Sequence, residues 1–269
     1  MSHVTSIDFV LIHISDTHLS SAIPAHNRGW RAAAAYIRQR KPDLVIHTGD
    51  IIDDETSETD RLFARVKLES LGVEWVAIPG NHDIGDGPPA AGNICPERLA
   101  EFENTFGATH WSRRVGEWRV IGVNAMLLGS GSAGEADHWL WLEKCLAAST
   151  GTRSMLCIHK PPFLLNPGES QHGTATMPEA ARRRFWDLVV KSGIQLIACG
   201  HRHEYRMVQR DGVGIVWAPT TSGLPAEMTP PILSNAPGCG LVEYVISGYT
   251  VAHRVVTFPI IVGSHDRFA

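Results

Sequence analysis

The chain has 269 residues, 43% hydrophobic and 19% charged, with 24 basic and 28 acidic side chains for a formal net charge of −4 at pH 7. That length buries a substantial core, and we expect one domain over residues 1–269. No apolar run approaches the roughly 18 residues that cross a bilayer, the first residues lack the basic-then-apolar order of a secretory leader, and the acidic balance offers nucleic acid no general attraction.

In chain order, FVLIHIS (9–15) reads as a strand, short, β-branched and continuous enough to be covered on both faces. A helix follows over 30–38, with Trp30, Ala34 and Ile37 on one side. DLVIHTG (43–49) is the second strand, and 59–71 a helix whose apolar side is Leu62, Phe63, Val66 and Leu71. EWVAIPG (74–80) is the third strand. Helices at 96–106, 133–148 and 178–191 alternate with strands WRVIGVN (118–124), SMLCIH (154–159) and IQLIACG (194–200). The last helix is opened by a proline in its first turn. Its arginines Arg182–Arg184 read as a solvated face, and Arg113–Arg114 as a short basic patch. Strands alternating with helices imply parallel pairing. Beyond residue 205 the pattern turns to hairpins, one around Asp211–Gly212 and one near Ser247–Gly248, the tail completing one sheet. The expected fold is helices flanking two packed sheets, with long Pro-, Gly- or Ser-rich loops at 84–95, 160–177 and 219–239.

Five cysteines, Cys95, Cys145, Cys157, Cys199 and Cys239, are odd in number and lack a Cys-x-x-Cys spacing, which fits a reducing cytoplasm. Fourteen histidines are more informative. The strand ends lead into SDTH with Asp16 and His18, TGD with Asp50, GNHD with Asn81, His82 and Asp83, IHKPP with His159, and CGHRH with His201 and His203. Ligands of open α/β sheets bind beyond the carboxyl ends of the strands, so residues this far apart in sequence can converge there. Imidazole and carboxylate ligands without thiolate suit Zn, Mn, Fe or Co. Asp16, His18, Asp50, Asn81, His159, His201 and His203 suffice for two divalent or mixed-valence ions if one carboxylate, naturally Asp50, bridges them. Two ions against two carboxylates leave a positive site for an anionic substrate. His13 and His47 lie inside strands and read as packed or supporting residues. Asp83 would orient a histidine or fix the loop. His26, Asn27 and Arg28 either reach the substrate or cap the chain, and Asn124 either touches the site through water or serves a turn.

The ordered set Asp16-Thr17-His18, Gly49-Asp50, Gly80-Asn81-His82-Asp83, His159 and Gly200-His201-Arg202-His203 resembles the calcineurin-like metallophosphoesterase superfamily. Spacing and HKPP look nearest to bacterial class III cyclic nucleotide phosphodiesterases and glycerophosphodiesterases. The resemblance implies a four-layer α/β/β/α sandwich of two mixed sheets flanked by helices. It also implies one metal on Asp16, His18, Asp50 and His203 and another on Asp50, Asn81, His159 and His201. The expected reaction is attack on phosphorus by a water deprotonated between the ions, with catalytic roles for Asp50 and for His82, which binds the phosphoryl group or protonates the leaving alkoxide. No serine sits in a Gly-x-Ser-x-Gly elbow. The favoured substrate is a small phosphodiester. The alternatives are a phosphomonoester, less favourably nucleic acid, or a non-catalytic scaffold, although a scaffold would be expected to have lost ligands that this chain retains. Oligomeric state is not legible.

Overall fold

The computed structural model describes residues 8–87, 94–170, 172–222 and 239–259. Of the three expected loops, 88–93 of 84–95, residue 171 of 160–177 and 223–238 of 219–239 lie outside the described residues. Strands β1 (Phe9–Ile14), β2 (Leu44–His47) and β3 (Trp75–Ala77) run parallel, and a single helical turn, α3 (Asn81–Ile84), follows β3. On its other side β1 pairs antiparallel with β10 (Cys239–Ser247), which turns into β11 (Thr250–Phe258), giving a sheet ordered β11-β10-β1-β2-β3. The second sheet is built from β4 (Trp111–Val115), β5 (Trp118–Gly122), β6 (Arg153–Cys157), β7 (Leu196–Cys199), β8 (Arg206–Arg210) and β9 (Val213–Trp217) in the order β4-β5-β6-β7-β9-β8. It is parallel at its centre and antiparallel at both rims. Both sheets are mixed, and the two expected hairpins are divided between them.

Three apolar layers separate four structural ones. Alternation along β1 sends Leu11 into the core between the sheets, with Ile46, Val120, Met155, Ala198 and Tyr244, while Ile12 and Ile14 face outward. The outer face of the first sheet is covered by α1 (Arg28–Arg40), α2 (Glu58–Glu69) and α4 (Pro96–Phe106) through Trp30, Ile37, Leu68 and Phe102. Helices α5 (Glu135–Ala147) and α6 (Glu179–Lys191) cover the second sheet with Trp139, Leu142, Phe185 and Val189. Burial on both faces explains why the central strands read as unbroken apolar runs. The fold is the four-layer α/β/β/α sandwich. Among the described residues no helix is long and apolar enough to cross a membrane.

Three local readings change. The buried side of α2 is Ala64 and Leu68, continued by Leu71, while Leu62 and Val66 are 57% and 66% exposed. Apolar spacing fitted either face, and polar contacts chose between them. Buried Asp60 accepts from the backbone N–H and hydroxyl of Ser21 at 2.7 and 2.6 Å, and buried Arg61 donates to the Glu55 carbonyl at 2.9 Å. Arg182 is fully buried, donating to the Glu169 carbonyl beneath the 160–177 loop, so only Arg183 and Arg184 form the solvated face. The same loop is packed down by Phe163, edge-on to Trp186 at 4.8 Å. Arg113 and Arg114 sit on β4, an edge strand whose exposed Ser112–Arg114 stretch has no apolar alternation to announce it.

The α2 orientation is testable by urea unfolding. Leu68→Ala should cost about 2–5 kcal/mol and Leu62→Ala less than about 0.5 kcal/mol. The reverse order would place the other face inward.

Candidate metal centre

The loops after β1, β2 and β7 turn sharply. Asp16, His18, Asp50, His201 and His203 have φ of 52°, 42°, 53°, 69° and 53°, a left-handed region that β-carbon-bearing residues rarely enter. Such strain persists where surrounding contacts over-determine it. Here the Asp16, His18 and Leu19 amides donate to the carbonyls of Gly49, Asp50 and Ile51 at 3.0, 3.0 and 2.8 Å, knitting the loops after β1 and β2 side by side. Two carboxylates are fixed in turn by backbone N–H groups. His201 donates to Asp16 Oδ1 and Oδ2 at 3.1 and 3.0 Å, and His82 donates to Asp50 Oδ1 at 2.9 Å. A β-carbon on Gly80 would overlap the Asp50 carboxylate, and one on Gly200 the Ser15 hydroxyl and the Asp16 carboxylate. Glycine is what lets these chains approach.

The reversals gather the side chains into adjoining clusters. Asp16, His18, Asp50 and His203 form one, and Asp50, His159 and His201 another, with ligand atoms inside each within 4.8 Å of one another. Asn81 joins the second through Oδ1, 3.2 Å from His159 Nε2. Asp50 belongs to both. All seven residues singled out in the sequence therefore converge.

Hydrogen bonds fix which ring nitrogen faces inward. His159 Nδ1 donates to the Thr48 carbonyl at 2.8 Å and His201 Nε2 to the Thr174 carbonyl at 2.9 Å, turning His159 Nε2 and His201 Nδ1 toward each other at 3.1 Å. His18 Nε2 and His203 Nε2 likewise stand 3.1 Å apart, and His203 Nε2 is 3.2 Å from Asp16 Oδ1. Opposed lone pairs repel unless a proton or cation lies between them. Donors bound about 2.1 Å from one ion and about 90–110° apart stand about 3.0–3.4 Å from each other, so the observed spacings fit nitrogen- and oxygen-preferring metal ions. Charges agree with that reading. Burial opposes ionisation of Asp50, yet the surrounding histidines, His159 foremost, hold its carboxyl well below the usual range. Burial would lower His159, but Asp50 outweighs it and raises the imidazole to about 9. Burial, then His159 and Lys160, keep His201 well below its ordinary value.

His82 stands at the rim, its ring edge-on to His18 at 4.7 Å and its Nδ1 donating to the Asp53 carbonyl at 2.7 Å, which leaves Nε2 unengaged by that bond. Asp83 fixes the loop and orients no histidine. Its Oδ1 accepts from the Ile51 and Ile52 amides at 2.9 and 3.2 Å and its Oδ2 from Gly80 at 2.8 Å. Burial, then the nearby Asp50 charge, push the Asp83 carboxyl up to about 7. His13 and His47 support from below, both lowered to about 3 chiefly by burial. His47 Nδ1 accepts from the Gly49 amide at 3.1 Å, so its Nε2 donates to Thr17 Oγ1 at 3.0 Å, and Thr17 passes a hydrogen bond to the Ile51 carbonyl at 2.8 Å. Asn27 is engaged with the Ser20 backbone and Asn124 accepts from the Met126 amide, both turn roles. His26 approaches the rim, with Nδ1 3.6 Å from Asp53 Oδ1.

Two rim residues escaped sequence reasoning. Asp53 Oδ1 lies 3.5 Å from His18 Nδ1, and Asp53, His18 and His82 make a third donor group. Lys160, buried directly after His159, pairs with Asp86 at 2.6 Å and ties two loops together. Asp53 sits in a run of acidic residues that reads as a turn, and nothing in HKPP marks Lys160 as facing Asp86.

Residues 9–205 match the sequence profile of calcineurin-like phosphoesterases. The chain belongs to the calcineurin-like phosphoesterase family. It is a metal-dependent phosphoester hydrolase. This phosphoesterase is 33% identical over 207 residues to the probable glycerophosphodiester phosphodiesterase GpdQ of Arcobacter nitrofigilis, covering 72% of this chain and 71% of that one. It is 25% identical to the 3',5'-cyclic adenosine monophosphate phosphodiesterase CpdA of Vibrio vulnificus, over 78% and 76% of the two chains. It is also 27% identical to the serine/threonine-protein phosphatase CPPED1 of Bos taurus, covering 68% of this chain and 63% of that protein. In architecture it superimposes on the purple acid phosphatase PPD1 of yellow lupin with a TM-score of 0.74 at 17% identity, over 94% of this chain and 52% of the plant enzyme.

Gly80→Ala should displace the Asp50 carboxylate. We expect less divalent metal per chain after gel filtration and a loss of phosphoester hydrolysis on the order of 100-fold, the effect of an ångström-scale misplacement. Unchanged metal content would show that the glycine serves only the turn.

Proposed function

We propose that the protein hydrolyses a small-molecule phosphodiester, of the cyclic nucleotide or glycerophosphodiester type, with two divalent or mixed-valence transition-metal ions drawn from Mn, Fe, Zn and Co. Two donor clusters meeting at Asp50 carry this reading. Asp16, His18, Asp50 and His203 would hold one ion and Asp50, Asn81, His159 and His201 the other, within a single domain. Such ions supply Lewis acidity toward phosphoryl oxygens and acidify water at neutral pH.

The chain's own groups bind and protonate the substrate. With Nδ1 engaged by Asp53, His82 presents Nε2 to the phosphoryl group or to the leaving alkoxide. Burial lowers its proton affinity, but Asp50 and Asp53 overcome this, so the net shift is upward and favours imidazolium. The Lys160 ammonium that follows His159 is bound to Asp86 and so is not held out toward a monoester's second negative charge, which accords with a diester. The relative named as a glycerophosphodiester phosphodiesterase, the most similar of those described, points the same way. The five free cysteines accord with a cytoplasmic location.

The test compares bis(4-nitrophenyl) phosphate with 4-nitrophenyl phosphate on manganese-loaded protein. Faster diester turnover is expected, and faster monoester turnover would replace this reading with a phosphatase. His82→Ala should slow an alkyl diester by about 10²–10⁴-fold. The 4-nitrophenyl diester, whose leaving group needs no proton, should lose far less; equal losses would remove the proton-donor role.

A further inference from the structure

A cleft of about 360 Å³ lies between α4 and the start of α5 and shares no residue with the donor clusters. His138 lines it, is only 3% exposed, and has no hydrogen-bond partner at either ring nitrogen. Buried polar groups left in that condition are rare and costly. The His138 ring stacks on Trp141 at 5.4 Å, and His110, also lining the cleft, stands edge-on to it at 4.9 Å. Burial, then the neighbouring His110, push His138 down to about 3, while the nearby Asn124 backbone pulls weakly the other way without completing a hydrogen bond. The ring is therefore neutral, with one donor and one acceptor unmet.

Two carboxylates share this cleft. Glu103 takes only the Thr109 hydroxyl, at 3.5 Å, and among the described residues neither Glu103 nor Asp137 has an ion-pair partner. No lysine or arginine lines the space, and Leu99 and Leu127 supply apolar wall. This combination repels phosphate esters, so the cleft is no extension of the phosphoryl site. Glu103 and Asp137 are exposed and solvated by water, so a neutral polyol gains little over water beside them, whereas a cation gains their attraction. An ammonium group satisfies the carboxylates and the open imidazole acceptor, and an apolar body fits the leucines.

We propose that this cleft binds a small organic ammonium ion, independently of the phosphoester substrate.

The experiment titrates the full-length, metal-loaded protein with benzylammonium, using benzyl alcohol and benzoate as isosteric controls, read by calorimetry and by the side-chain nitrogen resonances of His110 and His138. Benzylammonium should bind and shift both rings, with benzyl alcohol at least about tenfold weaker and benzoate undetectable, since 1.4 kcal/mol is tenfold in affinity. Glu103→Gln and Asp137→Asn should each weaken benzylammonium about tenfold, the order expected for a charge-assisted hydrogen bond, with hydrolysis of bis(4-nitrophenyl) phosphate unchanged. His138→Phe should keep the stack on Trp141, unfold at no lower temperature, and bind benzylammonium more weakly. Equal binding of benzylammonium and benzyl alcohol, no binding of either, binding that survives both carboxylate replacements, or ring shifts produced by zinc alone would overturn the assignment. Hydrolysis is read separately, so failure here leaves the reading of the metal centre untouched.

Discussion

Asp50 is the point on which the centre turns. Its Oδ2 lies 3.3 Å from His159 Nε2 and 3.8 Å from His18 Nε2, imidazoles carried by strands of different sheets, while the His82 amide fixes its Oδ1. One negative charge thus draws two layers of the sandwich together. The same crowding calls for a proton or a metal ion between the donors, because inward-facing nitrogens stand 3.1 Å apart in two separate pairs and Asp50 raises the proton affinity of His159. The framework must hold donors closer than they would settle on their own.

That framework is the pair of sheets and the loops that lock their ends. Backbone hydrogen bonds from Asp16, His18 and Leu19 to the loop after β2, and the Asp83 carboxylate accepting from Ile51, Ile52 and Gly80, make three strand ends into one unit. Asp83 does this fully buried and beside the Asp50 charge, which is why its carboxyl is pushed upward despite three amide donors. The second sheet is joined through His201, whose amide holds Asp16 and whose ring is oriented by Thr174. The 160–177 loop that supplies Thr174 is itself held by the Glu169 carboxylate, which accepts from the Leu164, Leu165 and Asn166 amides at 2.6, 2.7 and 3.1 Å. The same carboxylate thereby ties down the segment that leads to Thr174.

Charge is distributed differently in the two concave regions. At the metal centre two buried carboxylates face several imidazoles and fit cations of high charge; in the cleft beside α5 two carboxylates face neutral imidazoles and apolar wall. Burial lowers His138 as it lowers His13 and His47, but those two are satisfied by hydroxyl or amide partners on at least one nitrogen, and His138 by none. Unmet hydrogen bonding, more than a shifted titration, marks the cleft as a place for a ligand.

The sequence alone determined the order of most strands and helices, two packed sheets flanked by helices, and the seven metal-capable residues at strand ends, because strand ends, glycine turns and such residues are local features with a fixed spacing; the four-layer class came with the family resemblance. It could not choose which side of α2 faces inward, since both Leu62–Val66 and Ala64–Leu68 satisfy a helical period and only contacts such as Asp60 with Ser21 and Arg61 with Glu101, far away in sequence, break the tie. It could not reveal that Arg182 is buried, that β4 is a strand, or that Lys160 faces Asp86. Nor could it show that Glu103, Asp137, His110 and His138, from three separate segments, share one cleft. Each of these depends on what lies across a tertiary contact. Local periodicity carries no record of its partner, so hydrogen-bond satisfaction and burial decided them only once the layers had closed.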